Sequence, residues 1–180
     1  MRVLIIDDHA LFRMGLEGLL QQRGIEVVAS VGDALEGLRQ LKVLKPDILL
    51  LDVRMPGLNG LEALRQLEGS MHSTKVVMLT TSAEQQDLAA ALRNGASGYL
   101  LKDMAPDELL VALRSIRAGK TVIAPELTTV LAKLVQSGDD VEADVEHSLF
   151  EKLTPREQEI LCHLTEGQSN KVIARHLDIS

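Results

Sequence analysis

Four short apolar runs in this 180-residue chain each stop at a polar residue able to handle phosphate. Arg2–Ile6 runs into Asp7 and Asp8, residues 48–51 into Asp52, residues 76–79 into Thr80, and residues 99–101 into Lys102. The runs are rich in Val, Ile and Leu and lack a period-2 alternation, so they predict strands buried on both faces. Amphipathic stretches of helical period lie between them, at 11–22, 33–44, 60–67, 84–93 and 106–118, with one more strand at 25–29. Strands alternating with helices predict a parallel sheet covered on both sides. All the strands of such a sheet point one way. Asp7, Asp8, Asp52, Thr80 and Lys102 therefore meet at its C-terminal edge, where open α/β sheets place their sites.

Local signals agree with this division. Gly24 stops the first helix and Lys45-Pro46 breaks the second. Pro106 suits the first turn of the fifth helix, where Asp107 and Glu108 complement the helix dipole. The apolar fraction of 46% supports a real core, and an aromatic fraction of 2% means that Leu, Val, Ile and Ala must build it. A net charge of −7 disfavours non-specific nucleic-acid binding by the chain as a whole. Cys162 is the sole cysteine, which excludes an intrachain disulfide and a cysteine-based zinc site. No apolar run approaches the ~20 residues of a membrane span. The first residues lack the pattern of a signal peptide. The expectation is a cytoplasmic protein with no membrane partner.

Beyond residue 120 the character changes. A helix is predicted over 125–135, after a short turn. Residues 137–148 then carry five acidic groups and no Lys or Arg, the composition of a solvated linker. Thr154-Pro155-Arg156-Glu157 restarts order, with Thr154 as N-cap, Pro155 at the first helical position and Glu157 as the capping-box partner. Gly167 ends that helix, and Ser169 can cap a second one to about His176. The expected organisation is a domain over 1–120, a linker helix and acidic linker over 121–152, and a small all-α segment over 153–180.

Three carboxylates gathered at one edge raise one another's pKa unless a cation compensates. A hard divalent ion with oxygen ligands is the natural partner, and Mg²⁺ suits a site that handles phosphate. A carboxylate can also attack phosphorus and form an acyl phosphate. Both reactants are then anionic, and the metal and Lys102 can supply the positive charge between them. Thr80 can donate a hydrogen bond to a phosphoryl oxygen. Taken singly, each residue has an ordinary role: an Asp at a strand end forms turns, and a Lys there is solvated. Their placement at the same end of successive strands carries the argument. His9 beside Asp7-Asp8 is a weaker ligand candidate, because an acid-rich site favours a hard ion. Met55-Pro56-Gly57 reads as loop geometry. A dinucleotide-binding enzyme is disfavoured, since Asp7-Asp8-His9-Ala10 stands where its Gly-rich turn belongs.

Here the chain resembles a known family. Ile5-Ile6-Asp7-Asp8-His9, Leu51-Asp52-Val53-Arg54-Met55-Pro56-Gly57-Leu58-Asn59-Gly60, Leu79-Thr80-Thr81 and the stretch from Gly95 to Asp103 are similar to the receiver domain of two-component response regulators. The resemblance spans roughly residues 1–120. It implies a flavodoxin-like (βα)₅ fold with a five-stranded parallel sheet. It also implies that Asp52 accepts a phosphoryl group from a sensor histidine kinase that docks around residues 11–15. By the same resemblance, Asp8 and Asp52 bind Mg²⁺ together with the backbone carbonyl of Arg54, and Asp7 does so through water. Lys102 pairs with the phosphoryl group, Thr80 and Tyr99 form the switch, and Arg54 and Ser82 tune self-dephosphorylation. Such a protein is a phosphoacceptor rather than an enzyme, with at most slow loss of its own phosphate. Asp103 stands where many receivers carry Pro, which leaves the isomer of the Lys102–Asp103 peptide open. A haloacid-dehalogenase-type phosphatase also uses an aspartyl nucleophile, but it carries a second Asp where Arg54 stands.

Leu153-Thr154-Pro155-Arg156-Glu157 and the stretch from Asn170 to Leu177 resemble the start of a LuxR-type helix-turn-helix domain. Receiver plus this domain is the NarL/FixJ class of transcription regulators, and residues 102–104 and 118–132 resemble its nitrate/nitrite-responsive members. The DNA-reading helix of such a domain would follow Ser180. Residues 151–180 hold four basic and five acidic groups, so they offer no basic stripe. The expectation is that residues 1–180 alone do not bind promoter DNA specifically, whereas a longer protein does. Phosphorylation is expected to release the DNA-binding domain and to favour a homodimer. The alternative is a receiver used as a phosphorelay or interaction module.

Overall fold

The structure is a computed structural model, and it describes residues 1–67, 73–81, 84–128 and 130. The elements are β1 Arg2–Ile6, α1 Ala10–Gln22, β2 Glu26–Val31, α2 Ala34–Leu44, β3 Ile48–Asp52, α3 Gly60–Gln66, β4 Lys75–Thr80, α4 Gln85–Arg93, β5 Gly98–Leu101, α5 Pro106–Arg117 and β6 Val122–Ile123. A single 3₁₀ turn, Pro125–Leu127, follows. Every strand pair is parallel, and the sheet order is β2-β1-β3-β4-β5-β6.

The alternating strand and helix pattern reads through to this doubly covered sheet. Successive strand residues face opposite sides, and both sides are apolar. Leu4, Ile6, Leu49, Leu51, Met78 and Tyr99 pack on one face with residues of α2, α3 and α4. Val3, Ile5, Leu50, Val77, Leu79 and Leu100 pack on the other with α1 and α5. Burial on two faces removes the alternation that marks a half-exposed strand.

The sheet has six strands, which corrects the expected five. Val122 and Ile123 pair in parallel with Gly98 and Tyr99, and Ala124 N donates to Tyr99 O. Two residues are too few to show a pattern; the free edge of β5 makes them a strand. The second strand also runs later than expected, Glu26–Val31 rather than 25–29, because Ser30 and Val31 continue the pairing with β1 past a register shift. Within the predicted 125–135 helix, Pro125–Leu127 forms a 3₁₀ turn and Thr128 and Val130 are α-helical. The rest of that helix lies outside the described residues, as do the acidic linker and the two helices predicted after Thr154. The chain divides into two compact units, Met1–Gly138 and Asp139–Ser180. No peptide bond is cis among the described residues.

Caps place the helices against the sheet edge. Asp33 accepts from Glu36 N at the start of α2, and Asn59 and Glu62 form a reciprocal capping box at the start of α3. Gly60 is required where it stands: a Cβ there would collide with the carbonyl of Asp52. The first turn of α3 thus rests on the backbone of the residue that ends β3. No described helix is long and apolar enough to cross a membrane.

Candidate functional site

The C-terminal ends of β1, β3, β4 and β5 bring together the residues that the sequence places there. Asp7 and Asp52 are buried, Asp8 is partly exposed, and Thr80 ends β4 buried between the edges of β3 and β5. Lys102 follows β5, and its Nζ lies 2.7 Å from Asp7 Oδ2 and 2.8 Å from Asp52 Oδ2. One ammonium therefore bridges two buried carboxylates from two different strands. Phe12 on α1 lies under it, with the ring centroid 5.0 Å from Nζ, a cation–π contact.

Backbone donors hold the carboxylates in place. His9 N donates to Asp7 Oδ1 at 2.8 Å, and Arg54 N donates to Asp52 Oδ1 at 3.2 Å. The Arg13 guanidinium donates to the Asp7 carbonyl. Burial pushes the Asp52 carboxyl above its ordinary range; Lys102 opposes this and Asp7 adds to it. Lys102 Nζ is the partner of the buried Asp7 Oδ2 and Asp52 Oδ2, and His9 Nδ1 lies 2.9 Å from Asp8 Oδ1. Ligand atoms of Asp7, Asp8, His9 and Asp52 all lie within 4.8 Å of one another. Such a set of oxygens is unstable by itself and suits a cation.

His9, discounted as a ligand in the sequence, belongs to this cluster. Its Nδ1 lies 2.9 Å from Asp8 Oδ1, 3.4 Å from Asp7 Oδ1 and 3.7 Å from Asp52 Oδ2. Adjacency to the Asp pair was the available signal. The contributions of Phe12 and Arg13 carried no signal, because they depend on the rotation of α1.

Tyr99 on β5 is fully buried, and its hydroxyl lies beside Thr80. Burial pushes this phenol up to about 12. Arg54 points away from the carboxylates: its Nη2 lies 2.6 Å from Glu84 Oε2 and 2.7 Å from Asp87 Oδ2, which raises its pKa further. The loop after Asp52 is thereby tied to the start of α4. Ser82 lies outside the described residues.

Residues 3–114 match the family model of the response regulator receiver domain. The chain belongs to the response-regulator family. Residues 151–180 of this response regulator match the bacterial regulatory proteins of the luxR family. It is 41% identical over 180 residues to the nitrate/nitrite response regulator protein NarL of Escherichia coli (strain K12), covering 99% of this chain and 81% of that one. Its structure is similar to the signal receiver domain of the putative response regulator NarL from Mycobacterium tuberculosis, at TM-score 0.63 and 34% identity, over 66% of this chain and 97% of that one. It is also similar to a structure of two RcsB dimers bound to two parallel DNAs, at TM-score 0.68 and 27% identity, over all of this chain and 84% of that one. The protein is thus a two-component response regulator with a receiver and a LuxR-type DNA-binding segment, and it regulates transcription.

Proposed function

We propose that Asp52 is the phosphoacceptor and that the cluster around it exists to make its carboxylate a nucleophile toward phosphorus. One observation carries this reading: Lys102 Nζ lies within 2.8 Å of Asp52 Oδ2 while also engaging Asp7. In the reaction, Asp52 Oδ2 attacks the phosphorus of a phosphohistidine on a sensor histidine kinase. The new O–P bond forms as the P–N bond breaks, and the histidine nitrogen leaves with the electron pair. Lys102 offsets the negative charge that gathers on the phosphoryl oxygens, and Thr80 donates to one of them.

Three clustered carboxylates against one ammonium leave the site net negative, and this oxygen-rich donor set fits Mg²⁺. Asp8, Asp52 and the Arg54 carbonyl would hold it, with Asp7 acting through water. When bound, the ion supplies positive charge between two anionic reactants. Asp7, fully buried, fixes the position of Lys102 whatever else occupies the site.

The added phosphoryl charge of about −1.5 to −2 is the signal. Thr80 turns toward it, and Tyr99, buried beside Thr80, follows. The consequence passes to α4, to which the Asp52 loop is already tied through Arg54. Organised as a receiver over 1–120, a linker over 121–152 and a helix-turn-helix start over 153–180, the protein works in the cytoplasm. Its partners are a sensor histidine kinase, promoter DNA in a longer chain, and a second copy when phosphorylated. The likeness to NarL over 99% of this chain supports nitrate- or nitrite-responsive genes as targets. Its own turnover is limited to slow self-dephosphorylation, tuned by Arg54 and Ser82.

The test is phosphorylation by acetyl phosphate with Mg²⁺, read by mass spectrometry. Wild-type protein gains one phosphoryl group and Asp52→Ala gains none. Equal labelling of the two proteins would remove Asp52 as the acceptor.

A further inference from the structure

We propose that His9 is a nitrogen ligand that makes the acidic site prefer transition-metal dications to Mg²⁺. The proposal rests on the reading that Asp7, Asp8 and Asp52 hold a divalent ion, and it says which ions the chain holds best. Nδ1 of His9 faces all three carboxylates, at 2.9, 3.4 and 3.7 Å. A ligand atom from each of these four residues fits within 4.8 Å, a small side-chain rotation from the ~4.2 Å across one shell of short metal–ligand bonds. Lys102 Nζ engages Asp7 Oδ2 and Asp52 Oδ2, but one ammonium against three carboxylates leaves the cluster net negative and still suited to a dication.

The chain places the imidazole there by backbone geometry. His9 N is bound to Asp7 Oδ1, and α1 begins at the next residue. This fixes where the His9 Cα–Cβ bond starts, whatever side chain it carries. The ring itself is 61% exposed. Replacing it therefore removes no core packing, and the fold is not at stake in the test.

Ligand chemistry then decides the ion. Mg²⁺ takes oxygen and gains little from a ring nitrogen, whereas Co²⁺, Ni²⁺ and Zn²⁺ gain strongly from imidazole. Three carboxylates with one imidazole form a mixed set in which nitrogen adds selectivity rather than bare affinity. Lys102 Nζ lies 3.5 Å from the same Nδ1, so the ring nitrogen, the ammonium and the carboxylates share one small cluster.

Calorimetric titration of the whole chain with Mg²⁺ and with Ni²⁺ tests this, using wild type, His9→Ala and His9→Asn. An Asp8→Ala control separates this site from the remainder of the five histidines. The ratio of Ni²⁺ to Mg²⁺ affinity should fall about 10- to 100-fold in both His9 variants. The Asp8-dependent Ni²⁺ site should carry that loss. An unchanged ratio with Mg²⁺ still bound overturns the role of His9 and leaves the acidic site standing. A wild-type chain that binds neither ion overturns the acidic site and the role of His9 together.

Discussion

Lys102 reaches Asp52 across β4: its Nζ lies 2.8 Å from Asp52 Oδ2, although β5 and β3 are not neighbours in the sheet. The lysine side chain is only 7% exposed, so the contact sits in a medium where charge counts for more than at the surface. Replacing Lys102 with Ala should slow acetyl-phosphate labelling of Asp52 by about 100-fold or more, the scale for losing a preorganised positive partner. Labelling kinetics followed by intact mass check this, and a loss under tenfold would place the essential charge elsewhere.

Asp52 pays for its position with stability. Its carboxyl is raised by burial and by Asp7, so the folded state holds the Asp52 proton more tightly than the unfolded state does. A group of this sign contributes its full stability below the unfolded value of 3.8, and that contribution is lost as pH rises through the higher folded value. Asp52→Asn should therefore melt above wild type in metal-free neutral buffer, with a gap that shrinks as pH falls through the raised folded value toward 3.8. Thermal melts with a chelator across that range read the gap.

Tyr99 is the sole tyrosine of a chain without tryptophan, so an ultraviolet titration reads one phenol. It should ionise at about 12 rather than at 10.0. The unfolded chain ionises first, so stability falls as pH rises from 10 toward 12, by on the order of 3 kcal/mol. Tyr99→Phe should abolish that alkaline loss.

Gly60 and Gly15 make opposite predictions for the same substitution. Gly60→Ala drives a Cβ into the Asp52 carbonyl and should cost about 1–3 kcal/mol. Gly15→Ala, inside α1 with nothing near its Cβ, should stabilise by about 0.5–1 kcal/mol. Urea unfolding of the two variants measures both.

The strands and the acidic edge were legible because each strand is a short, uninterrupted apolar run with its polar residue at the same end. Asp7, Asp8, Asp52, Thr80 and Lys102 fall together for that reason alone. β6 was not legible: Val122 and Ile123 owe their strand state to the open edge of β5. The Arg54–Asp87 contact joins residues 33 apart, and no local pattern announces it. The position of the His9 ring in the cluster was not legible, since residue type says nothing about where Nδ1 points.

The loop from Val53 to Asn59 is held at both ends. Val53 N donates to Leu79 O, Gly60 N donates to Val53 O, and Gly60 itself sits against the Asp52 carbonyl. Its base is as fixed as the sheet, while Arg54, Pro56 and Gly57 along it face solvent. An insertion or exchange at the crest must bulge outward, because the anchored ends leave no slack toward Asp52. Variation can accumulate in this loop, changing what it presents to other molecules, while the Asp52 carboxylate stays in place.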